Sequence, residues 1–313
     1  MRIRNVCLLG GAGFVGSHVA HRLDAAGYRV KVLTRRREAA KHLILLPNVQ
    51  VVECDVMDDG ALRNALAGAD AVINLVGILH ENRGATFAAA HAGLPRRLAK
   101  ACNNEGVSRL LHVSALNADV AAPSAYLRSK GEGEAAVKQS GLEWTVFRPS
   151  VVFGAGDSFL TLFARLARWV PVMFLACPNA RFQPVWVEDL ASVVAQSLNN
   201  PQTVGQGYDL CGPNVYTLRE LVAFAAQCAG ASPRIVGLND RLSYLQAWAM
   251  ELLPVKLMTR DNVLSMKIDS VCGCAFPATF GITPTSLEAI APEYLAGDTP
   301  RAGYLRFRTV AGR

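Results

Sequence analysis

Six short apolar runs recur along the first half of the chain, each followed by a stretch with helical spacing of its apolar residues. They are "VCLL" at 6–9, "RVKVLT" at 29–34, "VQVVE" at 49–53, "AVINLV" at 71–76, "RLLHVS" at 109–114 and "EWTVFR" at 143–148. Strands alternating with helices in this way predict βαβ units, and so a parallel sheet covered on both faces. The expected fold is α/β, with a Rossmann-type doubly wound parallel sheet over residues 1–150. After Arg148 the rhythm loosens, and Pro149, Pro171, Pro178, Pro184, Pro201, Pro213, Pro233 and Pro254 cut the chain into short elements. Residues 151–313 are therefore expected to form mostly a small α/β lobe for a substrate or partner, with some elements returning to the core. No internal repeat or low-complexity segment interrupts this pattern.

Composition changes the picture little. A chain of 313 residues, 51% of them apolar, can bury a sizeable core. No apolar run is long enough to span a bilayer, so no membrane-crossing helix is expected. The start "MRIRNVCLLGGAG" reads as a strand entering a turn and not as a signal peptide. The eight cysteines are scattered, and the C-G-C at Cys272 and Cys274 matches neither a zinc ribbon nor a redox motif. Reduced thiols, no metal site and a cytoplasmic protein are the expectation. The net charge of +7 is compatible with a solvated basic surface, an anionic cofactor or an anionic membrane. A nucleic-acid partner is not expected, because the one dense basic cluster, Arg35–Arg37, has no interleaved aromatics and no binding module around it.

That cluster has a different use. "LLGGAGFVGSHVAHRL" reads as strand, glycine turn and helix start. Its glycines permit a tight turn and bring backbone N–H groups to a pyrophosphate at the positive end of the helix. Gly11, Gly13 and Gly16 spell one dinucleotide register and Gly10, Gly13 and Gly16 another, with Phe14 and Val15 inside the loop. An NAD-binding unit carries an acid about twenty positions further on, at the end of the second strand. Here Thr34 stands there, followed by Arg35, Arg36 and Arg37. Guanidinium groups bind a 2′-phosphate that a carboxylate would repel, so NADP(H) is preferred, with NAD(H) left open. His18 and His21, three apart on the following helix, lack a third ligand and read as surface or packing residues.

The motifs "GGAGFVG", "CDVMD", "INLVG", "HVSAL", "YLRSK", "FRPSVVFGAGD" and "PVWVEDLA" follow one another in an order that resembles the atypical, extended short-chain dehydrogenase/reductases, which are epimerase/dehydratase-like proteins. The resemblance implies that Asp55 and Val56 contact the adenine. It also implies that Asn74, Val76 and Gly77 pass under the cofactor, and that Pro149 and Ser150 lie near the nicotinamide. Tyr126 and Lys130, four apart, share one helix face. A phenol with a pKa near 10 needs help to act as an acid–base group, and an ammonium nearby lowers that pKa. Ser114 would polarise a substrate oxygen, so Ser114, Tyr126 and Lys130 form the expected catalytic set. Lys130 would also hold the nicotinamide ribose.

"AYLRSKGEGE", "FQPVWVEDLA", "YDLCGPNVYTLREL" and "LMTRDNVLSMKIDS" narrow the resemblance to the nucleotide-binding accessory subunit of mitochondrial complex I and its bacterial relatives. "TRDN" at Thr259–Asn262 is the most specific part, and His91 stands where sugar-nucleotide enzymes usually have asparagine. Two readings follow. The first is an NADP(H)-binding protein of the respiratory chain or ubiquinone biosynthesis, with a structural or redox cofactor and a respiratory or quinone-pathway partner. The second is a soluble NAD(P)-dependent reductase, epimerase or dehydratase acting on a small molecule or nucleotide sugar. Residues 242–255, "LSYLQAWAMELLPV", read as a core helix by default, or as an exposed helix touching a large partner or a membrane. The basic tail "RAGYLRFRTVAGR" is open to the same peripheral contact at the inner face of the cytoplasmic membrane.

Overall fold

The computed structural model describes residues 3–82, 84–253 and 257–296. The chain divides into two compact units. The first comprises Met1–Ser150, Val187–Leu210 and Cys272–Ile282. Its strands are β1 (Asn5–Leu9), β2 (Arg29–Thr34), β3 (Val49–Glu53), β4 (Ala71–Asn74), β5 (Arg109–Val113), β6 (Glu143–Pro149) and β7 (Gln206–Leu210). Its helices are α1 (Phe14–Ala25), α2 (Asp59–Leu66), α3 (Leu94–Glu105), α4 (Ala125–Lys138) and α5 (Val187–Ser197).

The seven strands form one sheet in the order β7-β6-β5-β4-β1-β2-β3. Every pairing is parallel. The central strands are the most apolar for that reason: helices cover both faces, and all four residues of β4 are buried. Cys7, Leu9, Val72, Leu98, Leu110 and Val146 meet in one core cluster. The strand order reverses between β1 and β4, and a doubly wound sheet opens its ligand crevice at such a reversal.

The second unit comprises the described residues of Val151–Trp186, Cys211–Val271 and Thr283–Arg313. Three two-stranded pairs, such as Val172–Leu175 with Arg234–Gly237, accompany helices Phe159–Trp169, Leu218–Cys228 and Leu287–Leu295 around their own core. Helix Asp240–Glu251 buries only its small side, at Ser243 and Ala247. Leu242, Tyr244, Leu245, Trp248 and Leu252 are exposed, Leu252 by 70%. At a helical spacing they share one outward face, so the core reading of this stretch is corrected where it is described. Pro254 and Val255, like the basic tail at 301–313, lie outside the described residues.

"TRDN" is a local structural device. Thr259 caps helix Arg260–Ser265, its hydroxyl accepting from Asn262 N–H while the Asn262 side chain accepts from Thr259 N–H at 2.9 Å. Arg260 then pairs with Glu251 at 2.9 Å and lies over the Tyr244 ring. The expectation of reduced cysteines throughout is also corrected: Cys211 and Cys272 are disulfide-bonded.

Candidate functional site

The glycine loop leaves β1 at the strand-order reversal. Gly10 has φ +77°, and a Cβ there would stand 2.9 Å from the Leu75 carbonyl carbon of the loop after β4. A Cβ on Gly16 would stand 2.2 Å from the Gly10 carbonyl oxygen. The first turn of α1 therefore rests directly on the loop, and its N-cap is Gly13, which has no side chain to cap it. Gly13 N–H donates to Gly10 O at 3.1 Å, which closes the turn. Phe14 and Val15 open α1. His18 is held edge-on to Phe14 and pairs with Glu188 of α5 at 2.6 Å, so it has a packing partner.

At the end of β2 the Thr34 hydroxyl donates to Arg36 O at 3.1 Å and accepts from Arg36 N–H at 3.3 Å. This small turn presents Arg35 and Arg36, both exposed, where a ribose-binding acid would otherwise stand. Asp55 begins the loop after β3, its carboxylate accepting Met57 N–H at 3.0 Å, and Val56 packs on the core beside Val76.

Behind the crevice lies the Ser–Tyr–Lys set. Ser114 directly follows β5, its N–H donating to Phe147 O at 2.8 Å. Its hydroxyl is buried and has no hydrogen-bond partner, an arrangement that costs free energy. The neighbouring loop is fixed by Leu116 N–H to Pro149 O and Ser150 N–H to Leu210 O, both at 3.0 Å. Helix α4 starts at Ser124, whose side chain accepts Leu127 N–H at 3.2 Å. It carries Tyr126 and Lys130 one turn apart. Gly131 and Gly133 lie in its middle, where glycine costs about 1 kcal/mol relative to alanine. Close packing accounts for both: a Cβ on Gly131 would meet Asp119 backbone at 2.6 Å, and one on Gly133 would meet His91 O at 1.9 Å.

Burial governs the electrostatics. Lys130 is buried and donates to Val113 O at 3.2 Å, and its ammonium is pulled down to about 8 by desolvation. Tyr126 is pushed up to about 12 by burial alone. Burial, and not the Lys130 charge expected from the sequence, sets the direction of the phenol's shift.

Three residues that sequence reasoning left out, His112, Ser129 and Ile78, tie the predicted Asn74 and His91 into the set. The Asn74 side-chain amide meets His112 Nδ1 at 3.1 Å while its oxygen accepts Val76 N–H at 3.1 Å, tying β4 to β5 under the crevice. His91 contacts Ser129 and Ile78. Only the two mid-helix glycines and the unusual histidine signalled this layer in the sequence.

Comparison with known proteins meets this geometry. A family described as NAD(P)H-binding matches residues 10–156, the span from the glycine loop past Ser150. The mitochondrial NADH dehydrogenase (ubiquinone) 1 alpha subcomplex subunit 9 of Mus musculus is 31% identical over 309 residues, covering 92% of this chain and 78% of that protein. The chain belongs to that NAD(P)H-binding branch of the atypical short-chain dehydrogenase/reductases. The ceramide reductase of Caulobacter vibrioides is also similar, 29% identical over 235 residues, covering 75% of this chain and 74% of the relative. The fold is shared with the NADPH-dependent quinone oxidoreductase QOR2 of Escherichia coli, solved with NADPH, at a TM-score of 0.73 and 20% identity over 96% of this chain and 99% of that one. A member of this family binds a dinucleotide, and the residues here fit one: a helix start packed on glycines, a Ser114 hydroxyl without a partner and a buried lysine with a backbone acceptor. Among the described residues no helix is long and apolar enough to cross a membrane.

Proposed function

We propose that this protein is an NADP(H)-dependent reductase of the respiratory or ubiquinone pathway, with Ser114, Tyr126 and Lys130 as its catalytic residues. The observation that carries the chemistry is the buried Ser114 hydroxyl without a hydrogen-bond partner, directly after Val113, whose carbonyl accepts from the buried Lys130. Bound NADPH supplies a hydride. Ser114 donates a hydrogen bond to the oxygen of a substrate carbonyl or quinone, and Tyr126 gives that oxygen its proton. Lys130 holds the nicotinamide ribose and stabilises the phenolate left behind. The glycine loop with Phe14 and Val15 carries the pyrophosphate, and Asp55 and Val56 border the adenine. Asn74, Val76 and Gly77 form the floor, Pro149 and Ser150 flank the nicotinamide, and Arg35 with Arg36 takes the 2′-phosphate.

The pathway assignment is supported by the likeness to the complex I subunit over most of the chain and by the outward apolar face at Leu245, Trp248 and Leu252. We read that face as a peripheral contact with the inner surface of the membrane that holds the quinone pool. The competing reading, a soluble enzyme for nucleotide sugars, needs the same three catalytic residues. A deletion strain separates them: altered ubiquinone content or respiratory NADH oxidation supports the proposal, and normal quinones with changed envelope sugars overturns it. Complementation with Tyr126→Phe tests chemistry in the same strain. Failure to restore function is expected, and full restoration by a phenol-free protein would leave only a binding role.

A further inference from the structure

His91 sits in a π-helical turn, Ala88–Gly93, that leads into α3. Such turns are uncommon and concentrate where a side chain has to be aimed. Both ring nitrogens are engaged. Nε2 accepts the backbone N–H of Ile78 at 3.0 Å. Nδ1 lies 2.9 Å from Ser129 Oγ, and that hydroxyl donates its own proton to Tyr126 O at 2.7 Å. The ring proton is therefore on Nδ1, pointing at Ser129, and a second proton on Nε2 would face the Ile78 donor. The ring stacks on Phe87 and meets Tyr126 edge-on, with centroids 5.5 and 5.4 Å apart. Gly133 lets α4 approach the His91 carbonyl, and a Cβ on Gly77 would stand 3.8 Å from Nε2 and 3.3 Å from Lys130 Nζ.

We infer that neutral His91 is a positioning residue that locks the loop at 75–78, the floor of the dinucleotide site, to the helix carrying Tyr126 and Lys130. One imidazole thus bridges the loop at Ile78 and the helix at Ser129. Burial and the neighbouring Lys130 hold its pKa near 3, in keeping with a ring that stays uncharged. The inference rests on the dinucleotide reading of this crevice and adds how that crevice is kept in shape.

The test uses His91→Gln, whose amide oxygen can reach the Ile78 N–H, and His91→Asn, whose shorter amide reaches only the Ser129 side. Two readouts are taken on the full chain: NADPH affinity by fluorescence, and hydrogen exchange of the Ile78 amide without cofactor. The Gln variant is expected to keep Ile78 protected and NADPH affinity within about threefold, and the Asn variant to expose Ile78 and lose about tenfold, the scale of one hydrogen bond. Phe87→Leu, which removes the stacking partner alone, should leave Ile78 protected. Equal behaviour of the Gln and Asn variants in hydrogen exchange would overturn the inference. Wild-type protein that binds neither NADPH nor NADH would instead sink the dinucleotide reading, while the exchange result would still stand for or against His91.

Discussion

Lys130 Nζ donates to the Val113 carbonyl at 3.2 Å, one residue before Ser114. The lysine thus holds the end of β5 while its own ammonium is weakened by burial, to about 8. The sign for cofactor binding follows: the charged donor is present below that value and is lost as pH rises through it. NADPH affinity is expected to be flat from pH 6 to about 7.5 and to fall above pH 8. Lys130→Met should bind weakly at every pH and show no such fall. A wild-type affinity that rises with pH would contradict the assignment.

Cofactor choice is expected to depend on the Thr34–Arg36 turn. Arg35→Glu or Arg36→Glu should shift preference toward NADH, at a cost for NADPH of about 1.5–3 kcal/mol per charge-assisted bond lost. Parallel titration of NADPH and NADH reads this directly. Equal wild-type affinities would show that the arginines only coat the surface.

Gly16 and Gly10 test the loop. Because a Cβ at residue 16 would stand 2.2 Å from the Gly10 carbonyl, Gly16→Ala has to push α1 off the loop. A loss of about 1–3 kcal/mol in urea unfolding is expected, the range for overpacking, together with loss of dinucleotide binding. Gly27→Ala, at a positive φ of +80° but with open space around it, should cost stability without touching cofactor affinity.

Acid should destabilise the protein early. His91 and His112 are both held near pKa 3, chiefly by burial and then by the Lys130 charge. Between pH 3 and 6.5 the unfolded chain binds more protons than the native one, so stability falls as pH falls through that window. Each histidine can contribute a loss of up to about 2 kcal/mol by pH 5. Urea unfolding at pH 7 and pH 5 measures it. His112→Asn should flatten the slope in part, and an unchanged slope would show that the His112 ring is not kept neutral at that cost.

Much of this protein is determined by the sequence through short-range rules. Apolar runs of period-free character require strands buried on both faces, so "AVINLV" and "RLLHVS" specified a parallel sheet before any contact was known. Glycines at 10, 13 and 16 after the first run specified a helix start open to a phosphate, and residues 126 and 130 had to share a helix face. Three features needed the tertiary structure. The side chain of His91 is engaged only because β4, α3 and α4 converge, across gaps of 13 and 38 residues to Ile78 and Ser129. Burial, which a sequence does not record, pushes the Tyr126 phenol up and the Lys130 ammonium down. Residues 242–252 look like core in one dimension, because apolar content does not reveal which face of a helix finds a partner. Tertiary packing chose the small side, Ser243 and Ala247, and left Leu245, Trp248 and Leu252 facing outward.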